Sequence, residues 1–272
     1  AIGNGKAEFV KLNLLRIPFR LGMDVFTTGK IGEERKDMVI SSMKVFAQLM
    51  EIYGVEHYRA CATSAMRDAQ NGKEIIDLVK QESGIQIEII SGDEEATLIY
   101  ENHVAEGLDK TFGYLYVDVG GGSTELTYYE NGKMKYEHSF NIGTIRLLNN
   151  LVTKENWNEM KTEIKTKLIG KKPIVAIGSG GNINKVFSMS KTKDGKPMSA
   201  NMLKTFYKDL KLLSVEERMV KHNLREDRAD VIVPALEIFN KILNWSNISQ
   251  IYVPKISVAD GLIHSIYDKL KK

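Results

Sequence analysis

The sequence predicts an α/β protein, and three observations carry that reading. Segments with helical spacing of apolar residues alternate with short strand-like runs along the whole chain. An apolar strand running straight into a glycine-rich turn occurs twice, at 115–125 and at 173–183. The composition, 43% hydrophobic and 27% charged with only 5 Pro, is that of a globular chain and excludes disordered, collagenous and disulfide-scaffold classes. At 272 residues the chain is long enough for two domains of ordinary size. A chain of this length buries roughly 70–75% of its unfolded surface, so it needs no disulfide or structural metal to fold.

The elements follow in order. Between Glu33 and Tyr53, Val39, Met43, Phe46, Ala47 and Met50 recur at helical spacing and predict one long amphipathic helix. Val55 to Ala62 reads as a strand, and Glu74 to Gln81 as a helix stopped by Gly84. Ile85 to Ile90 alternates as a half-buried strand does, and Glu94 to Val104 reads as a helix. Phe112 to Val119 is an apolar strand. Leu126–Tyr129 and Lys133–Phe140 flank Asn131-Gly132, the signature of a tight hairpin. Asn156 to Leu168 is a helix and Pro173 to Ile177 a strand. Ser214 with Glu217 forms a capping box for a helix to about His222. Arg228 to Leu243 and Val258 to Lys269 are helices, with strand Ile251 to Val253 between them. The chain divides near Phe112, giving an N-terminal domain over 1–112 and a C-terminal domain over 113–257, with the last helix (258–272) packing back on the first half.

Charge is nearly balanced: Lys+Arg 38 against Asp+Glu 35 gives +3, which supports neither a nucleic-acid site nor a membrane surface. No apolar run approaches the roughly 18 residues of a membrane helix, and no signal-peptide pattern opens the chain. Single Cys61, inside an apolar strand, fits a reducing compartment and a core position. Together these suggest a cytoplasmic protein. The five histidines show no metal-ligand spacing, and no Walker loop, nucleophile elbow or dinucleotide fingerprint is present.

The strongest chemical signal is Asp118-Val119-Gly120-Gly121-Gly122-Ser123-Thr124-Glu125. Glycines let backbone N–H groups approach an anion, and the Ser123 and Thr124 hydroxyls add donors. A carboxylate beside phosphate costs about 4 kcal/mol at about 4 Å and an effective dielectric of about 20. Asp118 therefore fits such a site when a hard cation such as Mg²⁺ lies between. A hairpin corner with a capping Asp is the plainer alternative, although a turn needs only one or two glycines. Gly178-Ser179-Gly180-Gly181 repeats the pattern without the acid. Ser91-Gly92-Asp93-Glu94-Glu95 enters a helix, where acids favour the macrodipole; a carboxylate there facing a phosphate cleft would orient a water. Arg67, after Ala62-Thr63-Ser64-Ala65-Met66, and Arg146, after Gly143-Thr144-Ile145, suit phosphate contact, as well as surface positions.

Taken together, these segments, with Ile89 to Ala96 and Arg228-Ala229-Asp230-Val231-Ile232, resemble the exopolyphosphatase/guanosine pentaphosphate phosphohydrolase family, of the actin–hexokinase–Hsp70 superfamily. The matches run in family order from about residue 20 to 262. The resemblance implies two ribonuclease-H-like domains around a central cleft, in the short two-domain form, and hydrolysis of the terminal phosphoanhydride of inorganic polyphosphate, with guanosine pentaphosphate as a further substrate. By resemblance Glu95 is the catalytic carboxylate and Arg67 the arginine on phosphate. Gly120, Gly121, Gly122, Ser123, Thr124, Gly180, Gly181 and Arg146 would bind phosphate, while Asp118 and Glu125 would hold Mg²⁺. A homodimer is a further family expectation. The family opens with a strand and an Asp-x-Gly-Ser-Asn loop, whereas this chain reads Ala1-Ile2-Gly3-Asn4-Gly5. Two other readings keep the same cleft: a sensor that binds guanosine tetraphosphate or polyphosphate without hydrolysis, and a small-molecule kinase.

Overall fold

The computed structural model of the chain describes residues 2–3, 6–7, 9–100, 109, 111–168, 172–254 and 258–271. Two-residue strands β1 (Ile2–Gly3) and β2 (Lys6–Ala7) pair antiparallel. Residues 9–20 then run without regular structure to helix α1 (Gly22–Thr28). The long helix α2 (Glu33–Ile52) falls where the apolar spacing places it. The strand expected over 55–62 is shorter: only β3 (Ala60–Ala62) forms a ladder, because its partner β4 (Ile87–Ile89) is itself three residues long. Between them lie α3 (Ser64–Asp68) and α4 (Gly72–Ser83), the latter ended by Gly84 at φ 73, a left-handed cap. Helix α5 (Gly92–Tyr100) follows; the expected continuation over 101–104 lies outside the described residues.

The second half is organised around one sheet. Strands β5 (Gly113–Val119), β6 (Thr124–Glu130) and β7 (Lys133–Phe140) form an antiparallel meander. Asn131 and Gly132 both take positive φ at its hairpin, as an Asn-Gly turn requires. Helices α6 (Thr144–Leu148) and α7 (Lys154–Lys167) lead into β8 (Ile174–Ser179), which pairs parallel with β5. Helix α8 (Gly181–Ser190), strand β9 (Met198–Ser199) and helix α9 (Ala200–Lys211) have no counterpart in the sequence reading. The weak helix formers Gly181-Asn182 open α8, and burial of Ile183, Val186 and Phe187 on one face holds it. The Ser214–Glu217 capping box starts α10 (Val215–His222) as expected, with both reciprocal hydrogen bonds present.

The single helix expected over 228–243 is two: α11 (Glu226–Ala229) and α12 (Ile232–Trp245). Pro234 has no N–H to donate and fits only a first turn, so the longer helix starts just before it. Strand β10 (Gln250–Tyr252) and helix α13 (Val258–Leu270) complete the chain. The sheet order is β7-β6-β5-β8-β10-β9, with β5, β8 and β10 parallel. Its first five strands give the ribonuclease-H-like arrangement in this half.

One face of the sheet carries Leu115, Val117 and Val119 against α7, α8, α9 and α12, with Phe239 and Ile242 at the centre. The other face carries Tyr116, Tyr129 and Ile177, covered by α5 and α13. A smaller core of Val25, Val39, Met66, Ile75 and Val79 holds α1 to α4 together. Helix α13 lies so close on α5 that a Cβ at Gly261 would sit 1.9 Å from the Leu98 carbonyl oxygen. The last helix thus packs back on an element of the first half of the sequence.

Phe239 is 1% exposed in the larger core. Phe239→Ala is expected to cost about 3–5 kcal/mol of stability, read as a lower urea midpoint at unchanged slope. A loss under about 1 kcal/mol would contradict the packing described here.

Candidate active site at the ends of the central strands

Ladder register assembles the site. Asp118 on β5 pairs with Glu125 on β6, Glu125 with Ser139 on β7, and Asp118 with Ser179 on β8. Directly paired residues share a sheet face, with Cβ atoms about 4.5–5.5 Å apart. Ser139, Glu125, Asp118 and Ser179 therefore form one polar row across four strands, at the carboxyl ends of the parallel pair β5 and β8. Ser139 Oγ donates to Glu125 Oε1 at 2.9 Å and Ser179 Oγ to Asp118 Oδ1 at 2.8 Å. Ser123 also donates to Glu125. The hydroxyls at each end hold two adjacent acids in place.

Helix α5 lies over this row. A Cβ on Gly92 would meet Ser139 Cβ at 2.9 Å, so only glycine allows the helix start to approach so near. Ser91 caps the helix by accepting the Glu94 N–H at 3.0 Å. Glu95, one turn in, faces the row. Burial, then Glu125, then Asp118, push its carboxyl from 4.5 up to about 8, with Arg67 pulling the other way. Burial and Asp118 push Glu125 up to about 7, and burial pushes Asp118 above the usual carboxylate range. Arg67 donates from Nη1 to the Ile90 carbonyl at 3.0 Å, directly before this helix.

The glycine turn after β5 is held from behind. Thr144 and Ile145, in the first turn of α6, donate their N–H groups to the Gly120 and Gly121 carbonyls at 3.0 and 2.8 Å. Arg146 Nε donates to the Gly122 carbonyl at 2.8 Å. With the three carbonyls so engaged, the N–H groups of Gly121 and Gly122 have no acceptor among the described residues. That is the geometry of an anion cradle. Phe26 Cζ lies 2.2 Å from the Cβ position of Gly122, and the Gly121 carbonyl 2.3 Å from that of Gly143, so neither site admits a side chain.

The second glycine turn closes the arrangement. Gly180, at φ +100, caps α8 beside Asp118 Oδ1 and turns the first N–H groups of that helix toward the same side. The structure brings Glu95, Arg67, Asp118, Glu125, both glycine turns and Arg146 into one neighbourhood. The Thr124 side chain points elsewhere: its hydroxyl is buried and donates to the Ile142 carbonyl at 2.6 Å. Neither this hydroxyl nor that of Ser123, spent on Glu125, is left over as an anion donor.

A cleft of about 560 Å³ opens in front of the first turn, lined by Gly120 to Gly122, Ser64, Asn182 and Arg228 together with apolar Phe19 and Met43. Arg228 is the residue that spacing did not single out. Its guanidinium presses on the second turn, 2.4 Å from the Cβ position of Gly181, and donates to Asn182 Oδ1 at 3.1 Å. Burial, with Arg16 and Arg225 nearby, lowers it to about 10. The adjacent acids are engaged elsewhere, Asp227 by Arg16 and Arg225 and Asp230 by Arg20. Only the Arg-Ala-Asp segment hinted at it in the sequence.

The donors around Asp118 and Glu125 are all oxygens, the kind a hard divalent cation takes. Burial pushes both acids above the usual carboxylate range, with Asp118 adding to the shift of Glu125 and Arg67 pulling it the other way; a divalent cation between them would offset that charge. Among the described residues no three His, Cys, Asp or Glu side chains form a ready-made cage. Ligand or water oxygens would complete such a site. Among the described residues no helix is long and apolar enough to cross a membrane.

A family model described as the Ppx/GppA phosphatase family matches residues 6–270. A guanosine-5'-triphosphate,3'-diphosphate pyrophosphatase of Vibrio cholerae is 26% identical over 245 residues, covering 85% of this chain and 49% of that protein. The chain thus spans about half the length of that relative. Exopolyphosphatase 1 of Mycobacterium tuberculosis is 22% identical over 269 residues, covering 90% of this chain and 77% of that one. The solved Aquifex aeolicus Ppx/GppA family member superposes with a TM-score of 0.75 at 27% identity, covering 100% of this chain and 93% of that one.

Raised carboxyl pKa values make stability depend on pH. Glu95 and Glu125 hold protons in the folded state that the unfolded chain, near 4.5, has released. Their contribution is complete below about pH 4.5 and is lost as pH rises through about 7 to 8. In metal-free buffer the urea midpoint should fall between about pH 5 and about pH 8.5, and fall less in Glu95→Gln. Identical pH profiles for the two proteins would contradict the burial of Glu95.

Proposed function

Because the chain belongs to the Ppx/GppA phosphatase family, we propose that it hydrolyses the terminal phosphoanhydride of inorganic polyphosphate, with the 5′ γ-phosphate of guanosine pentaphosphate as a second substrate of the same type. The observation that carries this reading is a carboxyl pushed to about 8, Glu95, set over Glu125 and Asp118, the two acids that flank a glycine turn whose Gly121 and Gly122 N–H groups have no acceptor among the described residues. Relatives whose names state these two activities support the substrate class.

The terminal phosphoryl group rests on the Gly121 and Gly122 N–H groups and the first turn of α8. Glu95 accepts a proton from the attacking water as the new P–O bond forms and the bridging P–O bond breaks. Orthophosphate and a chain shorter by one unit leave. A base whose pKa lies near the working pH combines a useful ionised fraction with proton affinity. Arg67 and Arg228 offset the charge of the phosphate chain, and fixed donors and cations of this kind supply most of the catalysis in phosphoryl transfer. Asp118 and Glu125 would hold Mg²⁺, which when bound would neutralise phosphate charge and remove the repulsion between the acids and the anion.

Orthophosphate release from long-chain polyphosphate with Mg²⁺, followed for wild type and Glu95→Gln in parallel, tests the reading. Turnover is expected in wild type only, with polyphosphate binding largely kept in the variant and activity lost in EDTA and restored by Mg²⁺. Binding by both proteins with release by neither would make the chain a polyphosphate or guanosine tetraphosphate binder. Phosphate transfer from ATP to a small acceptor would make it a kinase. Arg228→Ala is expected to raise KM about tenfold or more with a smaller change in kcat; an unchanged KM removes Arg228 from the anion site.

A further inference from the structure

We propose that Asp68 is a positioning residue, the hub of a brace that sets the glycine turn and the Glu95 helix relative to each other. Its carboxylate lies between two arginines. Oδ2 accepts from Arg146 Nη2 at 2.8 Å, and Oδ1 lies 3.9 Å from Arg67 Nε. Each arginine uses a different nitrogen to grip the backbone of a different site segment. Arg146 holds the Gly122 carbonyl through Nε, and Arg67 holds the Ile90 carbonyl through Nη1. The path therefore runs by hydrogen bonds from the Gly122 oxygen through Arg146 to Asp68, crosses 3.9 Å between opposite charges to the neighbouring Arg67, and continues by a hydrogen bond to the Ile90 oxygen, just before the Ser91-capped start of the helix that carries Glu95.

The rest of the geometry leaves this brace little freedom. The Arg146 guanidinium stacks on Phe26 with its carbon 4.2 Å from the ring centre, and the same ring fills the space where Gly122 would carry a side chain. Arg146 is thus fixed on its edge, its end and its face. A planar fork carries its donors on separate nitrogens and so reaches a carbonyl and a carboxylate in two fixed directions, a spread that a lysine's single nitrogen lacks. Asp68 is a third exposed, so its ion pair alone adds little to stability. Its value lies in geometry. Holding the Gly122 carbonyl fixes the Gly122–Ser123 peptide, and with it the far end of the turn whose Gly121 and Gly122 N–H groups have no acceptor among the described residues, while the same carboxylate faces the arginine beside Glu95. A shift of about 1 Å at such a point can cost about a hundredfold in rate.

The brace rests on the preceding functional reading for its catalytic consequence, but it is testable without turnover. In amide hydrogen exchange of the metal-free protein, Asp68→Asn should speed exchange both at Gly120, whose N–H is bonded to the Ser123 carbonyl across the glycine turn, and at Glu94 and Glu95, whose N–H groups are bonded to Ser91 at the start of the helix, two segments that Asp68 does not itself contact. Asp68→Glu, which keeps the carboxylate, should restore most of the protection. Unchanged exchange at either segment overturns the hub. In the phosphate-release assay, Asp68→Ala and Arg146→Ala should each lower kcat about tenfold or more with a much smaller change in KM. The double variant should be no slower than the worse single one, since both break the same path. Multiplying losses, or KM and kcat shifting equally, would reduce the pair to a surface ion pair. Arg146→Lys separates the roles further: it keeps a charge for Asp68 but loses the fork, so it should leave kcat as low as in Arg146→Ala. Absence of release in wild type would sink the hydrolase reading and leave the exchange result to decide the brace.

Discussion

The structure turns on the cost of keeping three carboxyl groups together away from water. Asp118 and Glu125 stand side by side because antiparallel register places them on the same face of adjacent strands, and α5 adds Glu95 above them. Like charges in such surroundings cannot all ionise cheaply, and the response is visible: the carboxyls titrate high. Ser139, Ser179 and Ser123 donate into the acids, and Arg67 supplies the nearby positive charge. Perturbed carboxyls of this kind cluster where protons or cations are handled.

Several glycines exist to permit that arrangement. Gly92 lets a helix end rest on a serine of the sheet, and Gly261 lets the last helix reach the Leu98 backbone behind it. Gly122 makes room for Phe26, and Gly181 for the Arg228 guanidinium. These are close approaches rather than flexible joints. Carbonyls of the first turn are tied down while the Gly121 and Gly122 N–H groups have no acceptor among the described residues, so the turn has the shape of an anion cradle without any ligand. Preorganisation of that kind spares the site a reorganisation during reaction.

Much of this was legible in residues alone, and for identifiable reasons. The hairpin at Asn131-Gly132, the capping box at Ser214 and the helix stop at Gly84 depend on local backbone preferences, so they appear as expected. Local reasoning failed where packing dominates. Helix α8 opens with poor helix formers and is held by three buried apolar residues. The strand over 55–62 shrank because its length is set by a partner distant in sequence. At Thr124 the hydroxyl faces the core, since alternation along β6 puts Glu125, not its neighbour, on the site face.

By itself the sequence determined the alternating α/β architecture, the two glycine turns and the acids beside them, because turn chemistry and periodicity are properties of neighbouring residues. It also carried the likeness to a phosphatase family over most of the chain. Tertiary structure alone decided which acids share a row, which way each hydroxyl points, and how Arg228, Asp68 and Arg146 are engaged. Those facts arise from register between strands and from contacts between residues far apart in sequence, 78 positions between Asp68 and Arg146 and 211 between Arg16 and Asp227. No window along the chain contains both partners, and their meeting depends on the packing of the whole.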